Sequence, residues 1–345
     1  MIETKPIGVL LVQLGTPDST KVSDVRSYLR EFLSDPRVID LPSVARAVLL
    51  NAVILPFRPR RSAEQYEKIW TKEGSPLAIH TRSLAQEVQK ALGEDYRVTF
   101  GMRYKNPPID LAVEELVAAG CERIIVLPVF PQYASASTGS ALEEALRVIG
   151  ERWNVPGLVT VGDFFDDPGF IGSVATVARP HLESFQPDHV ILSYHGLPEK
   201  QIRKSDPSGQ WCLSSESCCD RIVQTNRYCY RAQCFATSRA LATELELIPG
   251  RYSTTFQSRL AGQKWIEPYT DVELGALYAS GVRRLAVLTP SFTADCLETL
   301  EEIGIRLREQ WEGMGGEDFL LIPCVNAEPV WVSAVTGLVE RAASG

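Results

Sequence analysis

The sequence predicts an α/β protein made of two similar doubly wound, Rossmann-like domains with parallel sheets. Three observations lead there. Short apolar runs alternate with stretches of helical period, as buried parallel strands alternate with their crossover helices. The second half repeats the first: Gly-Cys-Glu-Arg-Ile-Ile-Val-Leu-Pro-Val-Phe at 120–130 aligns with Gly-Val-Arg-Arg-Leu-Ala-Val-Leu-Thr-Pro-Ser at 281–291. Each run follows a helical stretch and, before it, a Phe-x-x-Arg pair, Phe100 with Arg103 and Phe256 with Arg259.

Taken in order, strands are expected at 7–14, 97–100, 123–130, 189–194, 253–256, 284–289 and 319–323. Helices are expected at 109–119, 140–148, 271–279 and 295–308, where apolar residues recur every third or fourth position. Near the start of each half a strand ends in a similar turn, Leu-Gly-Thr-Pro at 14–17 and His-Gly-Leu-Pro at 195–198. The 345 residues suffice for two ordinary domains. These are placed at 1–165 and 166–345, with the boundary between 153 and 187. Ligands of open α/β sheets bind beyond the carboxyl ends of the strands, so the predicted site is a cleft between the two domains.

Composition narrows the function. Hydrophobic residues at 45% and charged residues at 23% fit a soluble globular chain. With 43 acidic against 35 basic side chains the formal charge is −8, which argues against nucleic acid as a partner. The first residues, Met-Ile-Glu-Thr-Lys-Pro, lack the basic and apolar regions of a secretory signal, and a cytoplasmic protein is expected. No apolar stretch reaches the roughly 18–20 residues that span a bilayer. The nearest, 44–57, is interrupted by Arg46, Asn51 and Pro56; it can lie on a membrane but not cross it. Nothing in the sequence assigns an oligomeric state.

Two constellations carry chemistry. His195 directly follows an apolar strand and precedes Gly and Pro, a rigid mount for an imidazole that can accept a proton or ligate a metal. A hydrogen-bonded structural histidine is the competing reading. His80, His181 and His189 lack such a setting and read as surface or packing residues. The second constellation is Asp295, Glu298 and Glu302, whose i, i+3, i+7 spacing places three carboxylates on one face of an α-helix. Asp295 reads equally as an N-cap. Carboxylate oxygens bind or relay divalent cations and accept protons. A third segment, 131–140, is small and polar before a helix, a weaker candidate for an anion-binding helix start.

Together with Gln-Leu-Gly-Thr-Pro at 13–17, Tyr-Leu-Arg-Glu-Phe-Leu-Ser-Asp-Pro at 28–36, Gly-Ser-Pro-Leu at 74–77 and Thr-Phe-Gln-Ser-Arg at 255–259, these motifs resemble the ferrochelatases over nearly the whole chain. The resemblance implies an enzyme that inserts Fe²⁺ into a porphyrin, with the substrate protoporphyrin IX rather than coproporphyrin. By that resemblance His195 and Glu298 face each other across the porphyrin, and Asp295 and Glu302 extend an acidic path for protons or metal. Arg103 and Tyr104 lie near the macrocycle, Arg103 pairing a propionate. Ser135, Ser137, Thr138, Gly139 and Ser140 help hold the ring, and Phe292 lines the pocket. Cys296 departs from relatives that carry a histidine there, against any mechanism needing a second imidazole. Segment 44–57 matches a hydrophobic lip and implies peripheral contact with the inner face of a membrane, against the plainer reading of a buried helix and loop.

The chemistry asks for such groups. A free-base porphyrin carries two N–H protons where the metal must sit. Insertion is helped by bending the ring in an apolar clamp, removing the protons with an imidazole, and delivering Fe²⁺ from labile oxygen ligands. Other tetrapyrrole chelatases would share the histidine, and a non-catalytic iron or heme sensor would not need the acid–base pair.

The cysteines are a separate signal. Five of eight, Cys212, Cys218, Cys219, Cys229 and Cys234, fall within 23 residues, inside an insert at 207–236 that many ferrochelatases lack. Clustered thiols in a chain with no export signal point to metal before disulfides. Some ferrochelatases carry a 2Fe-2S cluster, which implies one here on Cys212, Cys219, Cys229 and Cys234, with Cys218 as the alternative; Cys234 also matches a lone structural cysteine of relatives. Zinc takes the same donors.

Overall fold

Val9, Leu10, Leu11 and Val12 are wholly buried in the first strand, β1 (Ile7–Gly15), which explains why it reads as one apolar run rather than an alternating one. The structure is a computed structural model that describes residues 5–259 and 262–345; part of the N-terminal stretch read for an export signal lies outside them. It forms two compact units. Met1–Phe130, Ser135–Asp163 and Ala327–Gly345 make the first, and Pro131–Ala134 with Phe164–Asn326 the second.

In the first unit β1 pairs in parallel with β2 (Tyr96–Tyr104) and β3 (Arg123–Pro128), and β3 with β4 (Gly157–Thr160), in the order β2-β1-β3-β4. In the second, β5 (His189–His195) pairs with β6 (Tyr252–Gln257) and β7 (Arg284–Leu288), and β7 with β8 (Asp318–Leu321), in the order β6-β5-β7-β8. The internal repeat is therefore a repeat of topology. Helices Ile109–Ala118 and Ser140–Gly150 bury Ile109, Val113, Ala141 and Ala145 against β1 and β3. In the second unit Leu274 and Leu277, with Ile303, Leu307 and Trp311, pack the same way on Ile191, Leu285 and Val287.

The corresponding turns share one device. A Cβ on Gly15 would lie 2.0 Å from the carbonyl oxygen of Tyr104, and one on Gly196 2.7 Å from that of Gln257. In each unit the glycine ending the central strand lets its backbone press against the end of the neighbouring strand, which no larger residue allows.

Three departures from the sequence reading have plain causes. β4 was not foreseen, because it is a short edge strand with exposed Gly157 and Thr160 and no apolar pattern. The division at 165 is corrected at the C-terminus: helix Pro329–Ser344 returns to the first unit, where Arg123 donates to the carbonyls of Ala343 (2.7 Å) and Ala342 (3.2 Å). Segment 44–57 is not a helix plus loop but part of continuous helical backbone, Ser43–Val48, a π-helix Leu49–Ile54 and Leu55–Ile69. The Leu55 N–H reaches back five residues to Leu50, and the widened turn precedes Pro56 and Pro59, which have no N–H to give. Among the described residues no helix is long and apolar enough to cross a membrane.

Candidate active site

His195 is the last residue of β5, opposite Gln257 of β6. Its Nδ1 lies 2.7 Å from the carbonyl oxygen of Gly196. A carbonyl can only accept, so Nδ1 carries the proton and the lone pair sits on Nε2. Among the described residues Nε2 has no hydrogen-bond partner. The ring of Phe292 meets the imidazole edge-on, centroids 6.4 Å apart. The backbone is held as firmly: the His195 N–H donates to Ser291 Oγ at 3.1 Å and the Gly196 N–H to the Gln257 carbonyl at 2.8 Å.

Gln257 ties this strand to the carboxylates. Its Oε1 accepts from Ser193 Oγ (2.8 Å), and its Nε2 donates to the carbonyl of Glu298 (2.8 Å) and more weakly to Glu302 (3.4 Å). Glu302 also accepts the N–H of Ser258 at 2.8 Å and its hydroxyl at 2.5 Å. Glu298 and Glu302 stand on a π-helix, Glu298–Leu307. This corrects the three-carboxylate α-helical face: the helix starts beyond Asp295, which lies buried in the preceding turn. Asp295 caps nothing either. It accepts from Asn326 Nδ2 (2.8 Å), Thr299 Oγ1 (3.0 Å) and the Cys324 N–H (3.3 Å), pinning the helix start to the segment after β8. The Cys296 thiol is wholly buried, which pushes its pKa far up, and it donates to Glu298. Of the other histidines, His181 is exposed and His189 is buried against Ser253.

This arrangement can be set beside known proteins. The Ferrochelatase family profile matches residues 6–343. The chain belongs to the ferrochelatase family. A ferrochelatase of Coxiella burnetii (strain CbuK_Q154) is 48% identical over 335 residues, 97% of this chain and 93% of the relative. One of Legionella pneumophila (strain Lens) is 46% identical over 335 residues, 97% and 98% of the two chains. Among solved structures SirB from Bacillus subtilis with Fe³⁺ covers 98% of this chain and 96% of its own, at a TM-score of 0.55 and 13% identity. The sirohydrochlorin chelatase SirB of Bacillus subtilis subspecies spizizenii, in complex with cobalt, gives 0.50 at 12% identity. At those identities the likeness is one of fold. As a member of the ferrochelatase family, the chain is a lyase that inserts Fe²⁺ into a porphyrin in heme synthesis.

In the first unit, four residues of the ferrochelatase motifs form one buried network. Asp35 Oδ2 accepts from Ser140 Oγ (2.5 Å), Tyr104 OH (2.8 Å) and Arg103 Nη2 (3.0 Å). Arg103 Nε donates to Ser140 Oγ at 2.7 Å, and the guanidinium carbon sits 4.6 Å from the centre of the Tyr104 ring. Burial alone would raise the Asp35 pKa. The bonds from Ser140, the Arg37 N–H and Tyr104, with the Arg103 charge, outweigh it and hold the carboxyl below its ordinary range. Ser135 starts a short π-helix, Ser135–Gly139, that runs straight into helix Ser140–Gly150, so no free helix start opens at 140. Ser135 Oγ accepts from Arg37 at 2.9 Å, and the buried Thr138 hydroxyl has no partner among the described residues.

All five insert cysteines are buried and none is in a disulfide. Cys218 Sγ and Cys219 Sγ are 3.6 Å apart. Cys219 bonds to Cys229 and Cys229 to Cys212, whose pKa is lowered by the bond from Cys229, while Cys229 is pushed up to about 12 by that same bond. Arg231 Nη1 donates to Cys219 Sγ at 3.2 Å, but this cation lowers the thiol's pKa less than Cys229 and burial raise it, so the pKa is pushed far up. Cys234 lies in helix Tyr230–Glu244, where burial pushes its pKa far up and the nearby Cys229 and Cys219 add to the rise. The donor set suits a four-thiolate centre, although among the described residues no three His, Cys, Asp or Glu side chains are grouped as they stand to hold a metal ion.

Proposed function

We propose that the enzyme makes protoheme from protoporphyrin IX, with His195 accepting the pyrrole protons and Glu298 as its carboxylate partner. The observation that carries this reading is the unpartnered Nε2 of His195, whose lone pair the Gly196 carbonyl fixes by holding the proton on Nδ1. Among the described residues Glu298 has only the Cys296 thiol against its carboxylate, so its oxygens remain able to exchange ligands. Glu302, four residues on, would continue an acidic row for protons or metal by giving up its bonds from Ser258, while Asp295, held by Asn326, Thr299 and the Cys324 N–H, seats the helix. Phe292 walls the imidazole. Ser135, Ser137, Thr138, Gly139 and Ser140 hold the ring in this reading, supported by the orphaned Thr138 hydroxyl. The Asp35 bond spends part of the Arg103 fork, so a propionate would share an already paired guanidinium.

In the same reading the insert holds a 2Fe-2S cluster on Cys212, Cys219, Cys229 and Cys218, the last preferred to Cys234 because its sulfur lies 3.6 Å from that of Cys219. Iron insertion changes no oxidation state, so the cluster would brace the insert and transfer no electron in the reaction. The face of 44–57 rests on a lipid surface: Val44, Val48, Val53 and Phe57 are exposed beside Arg46, Arg58, Arg60 and Arg61.

Anaerobic Fe²⁺ insertion, followed by heme absorbance with protoporphyrin IX and coproporphyrin in parallel, tests the substrate. A kcat/KM at least tenfold higher for protoporphyrin IX is expected. A preference for coproporphyrin, or for Co²⁺ over Fe²⁺, would overturn the assignment.

A further inference from the structure

The support beneath His195 reaches further than the active site requires. β5 and β7 run in register from His189 with Leu285 to Leu192 with Leu288. Continuing that register would place His195 opposite Ser291. β7 has already ended at Leu288, and the chain turns, the Phe292 N–H closing on the Thr289 carbonyl at 3.0 Å. The next N–H, that of Gly196 just past the strand, points to β6, so the His195 N–H faces the side where β7 has left. A buried strand donor without an acceptor is costly. Ser291 Oγ takes that place at 3.1 Å.

The serine is set for this by its own segment: Ser291 directly precedes Phe292, whose N–H closes the turn, so the hydroxyl sits where the missing β7 carbonyl would have been.

We infer that Ser291 is a positioning residue for iron insertion, a bracket that fixes the His195 backbone. The inference rests on the reading of His195 as proton acceptor. The imidazole is steered through its own main chain, because Nδ1 donates to the adjacent Gly196 carbonyl. A rotation of the 195–196 peptide turns the Nε2 lone pair away from the substrate, and small misplacements of a reacting group are expensive in rate. Ser291 does not touch the porphyrin in this account, so its loss lowers kcat and leaves porphyrin KM in place.

The test is steady-state Fe²⁺ insertion by the full chain and its Ser291 variants. Ser291→Ala is expected to lower kcat about tenfold, with porphyrin KM within about twofold of wild type. Ser291→Thr, which keeps a hydroxyl, should restore at least about half of kcat. Circular dichroism checks folding; should Ser291→Ala misfold, Ser291→Cys, which keeps the side-chain size but accepts only weakly, decides by its kcat against KM. Wild-type kcat in Ser291→Ala, or a loss in Ser291→Thr as large as in Ser291→Ala, would overturn the bracket. Full activity in His195→Ala would instead remove the reading beneath it, and the inference with it.

Discussion

Asp35 offers the sharpest structural test, because three of the residues assigned to ring binding converge on one of its oxygens. Replacing it by Ala removes the acceptor of Ser140, Tyr104 and Arg103 together and leaves the guanidinium, only 17% exposed as a side chain, without its carboxylate. Removing one partner of a buried ion pair costs about 3–5 kcal/mol. Ser140 Oγ still accepts from Arg103 Nε, which favours the lower end of that range. Asp35→Asn keeps an oxygen for the Tyr104 hydroxyl but loses the charge, and should cost about 1–3 kcal/mol. The assay is amide exchange against denaturant in the peptide covering β2, where about 3 kcal/mol is roughly a hundredfold in local opening. The depressed carboxyl contributes stability above its unfolded pKa of about 3.9 and loses it as the pH falls through the lower folded value, so the gap between wild type and Asp35→Ala should narrow below about pH 4. Wild-type protection in Asp35→Ala, or equal costs for Ala and Asn, would refute the network as a charge-assisted latch.

Three further outcomes are expected. Burial lowers the His189 pKa from 6.5 to about 4, so the unfolded chain binds a proton that the folded one refuses between those values. Stability should therefore fall by up to about 3 kcal/mol from pH 6.5 to 4 and level off below, a slope that His189→Gln abolishes in pH-dependent unfolding. Freshly purified protein should be coloured and contain iron and acid-labile sulfide; Cys218→Ser should lose the colour while Cys234→Ser keeps it, and a colourless wild type holding zinc would contradict the cluster. Phe57→Ser should weaken partition onto vesicles containing anionic lipid about tenfold, as burial of a Phe side chain is worth about 1.5–3 kcal/mol, with flotation as the assay; unchanged flotation would remove the membrane contact.

Much of the fold was legible because the central strands of both sheets are buried on both faces and so spell unbroken apolar runs. The repeat was legible because Gly15 and Gly196 meet the same steric demand in each unit. β4 was hidden by its exposed edge, and the return of helix Pro329–Ser344 to the first unit depends on Arg123, which no local pattern announces. At the candidate site the partners of the motif residues were not legible. Gln257 and Asp35 lay inside quoted motifs without a role, because a side chain with two or three long-range partners leaves no periodic trace. The π-helices at 49–54, 135–139 and 298–307 fall in three segments singled out for function, yet an α-helical period was assumed for the last, which misplaced Asp295 on the face of Glu298 and Glu302. Ser291 could have been found by carrying the register of β7 three residues past its end.

The most direct measurement is single-turnover Fe²⁺ insertion by His195→Ala, with porphyrin binding followed separately by fluorescence quenching. An imidazole whose free Nε2 takes the pyrrole protons predicts a rate at least about a hundredfold below wild type, with porphyrin affinity little changed. A variant that binds porphyrin and metallates it at the wild-type rate would mean that the protons leave by another group.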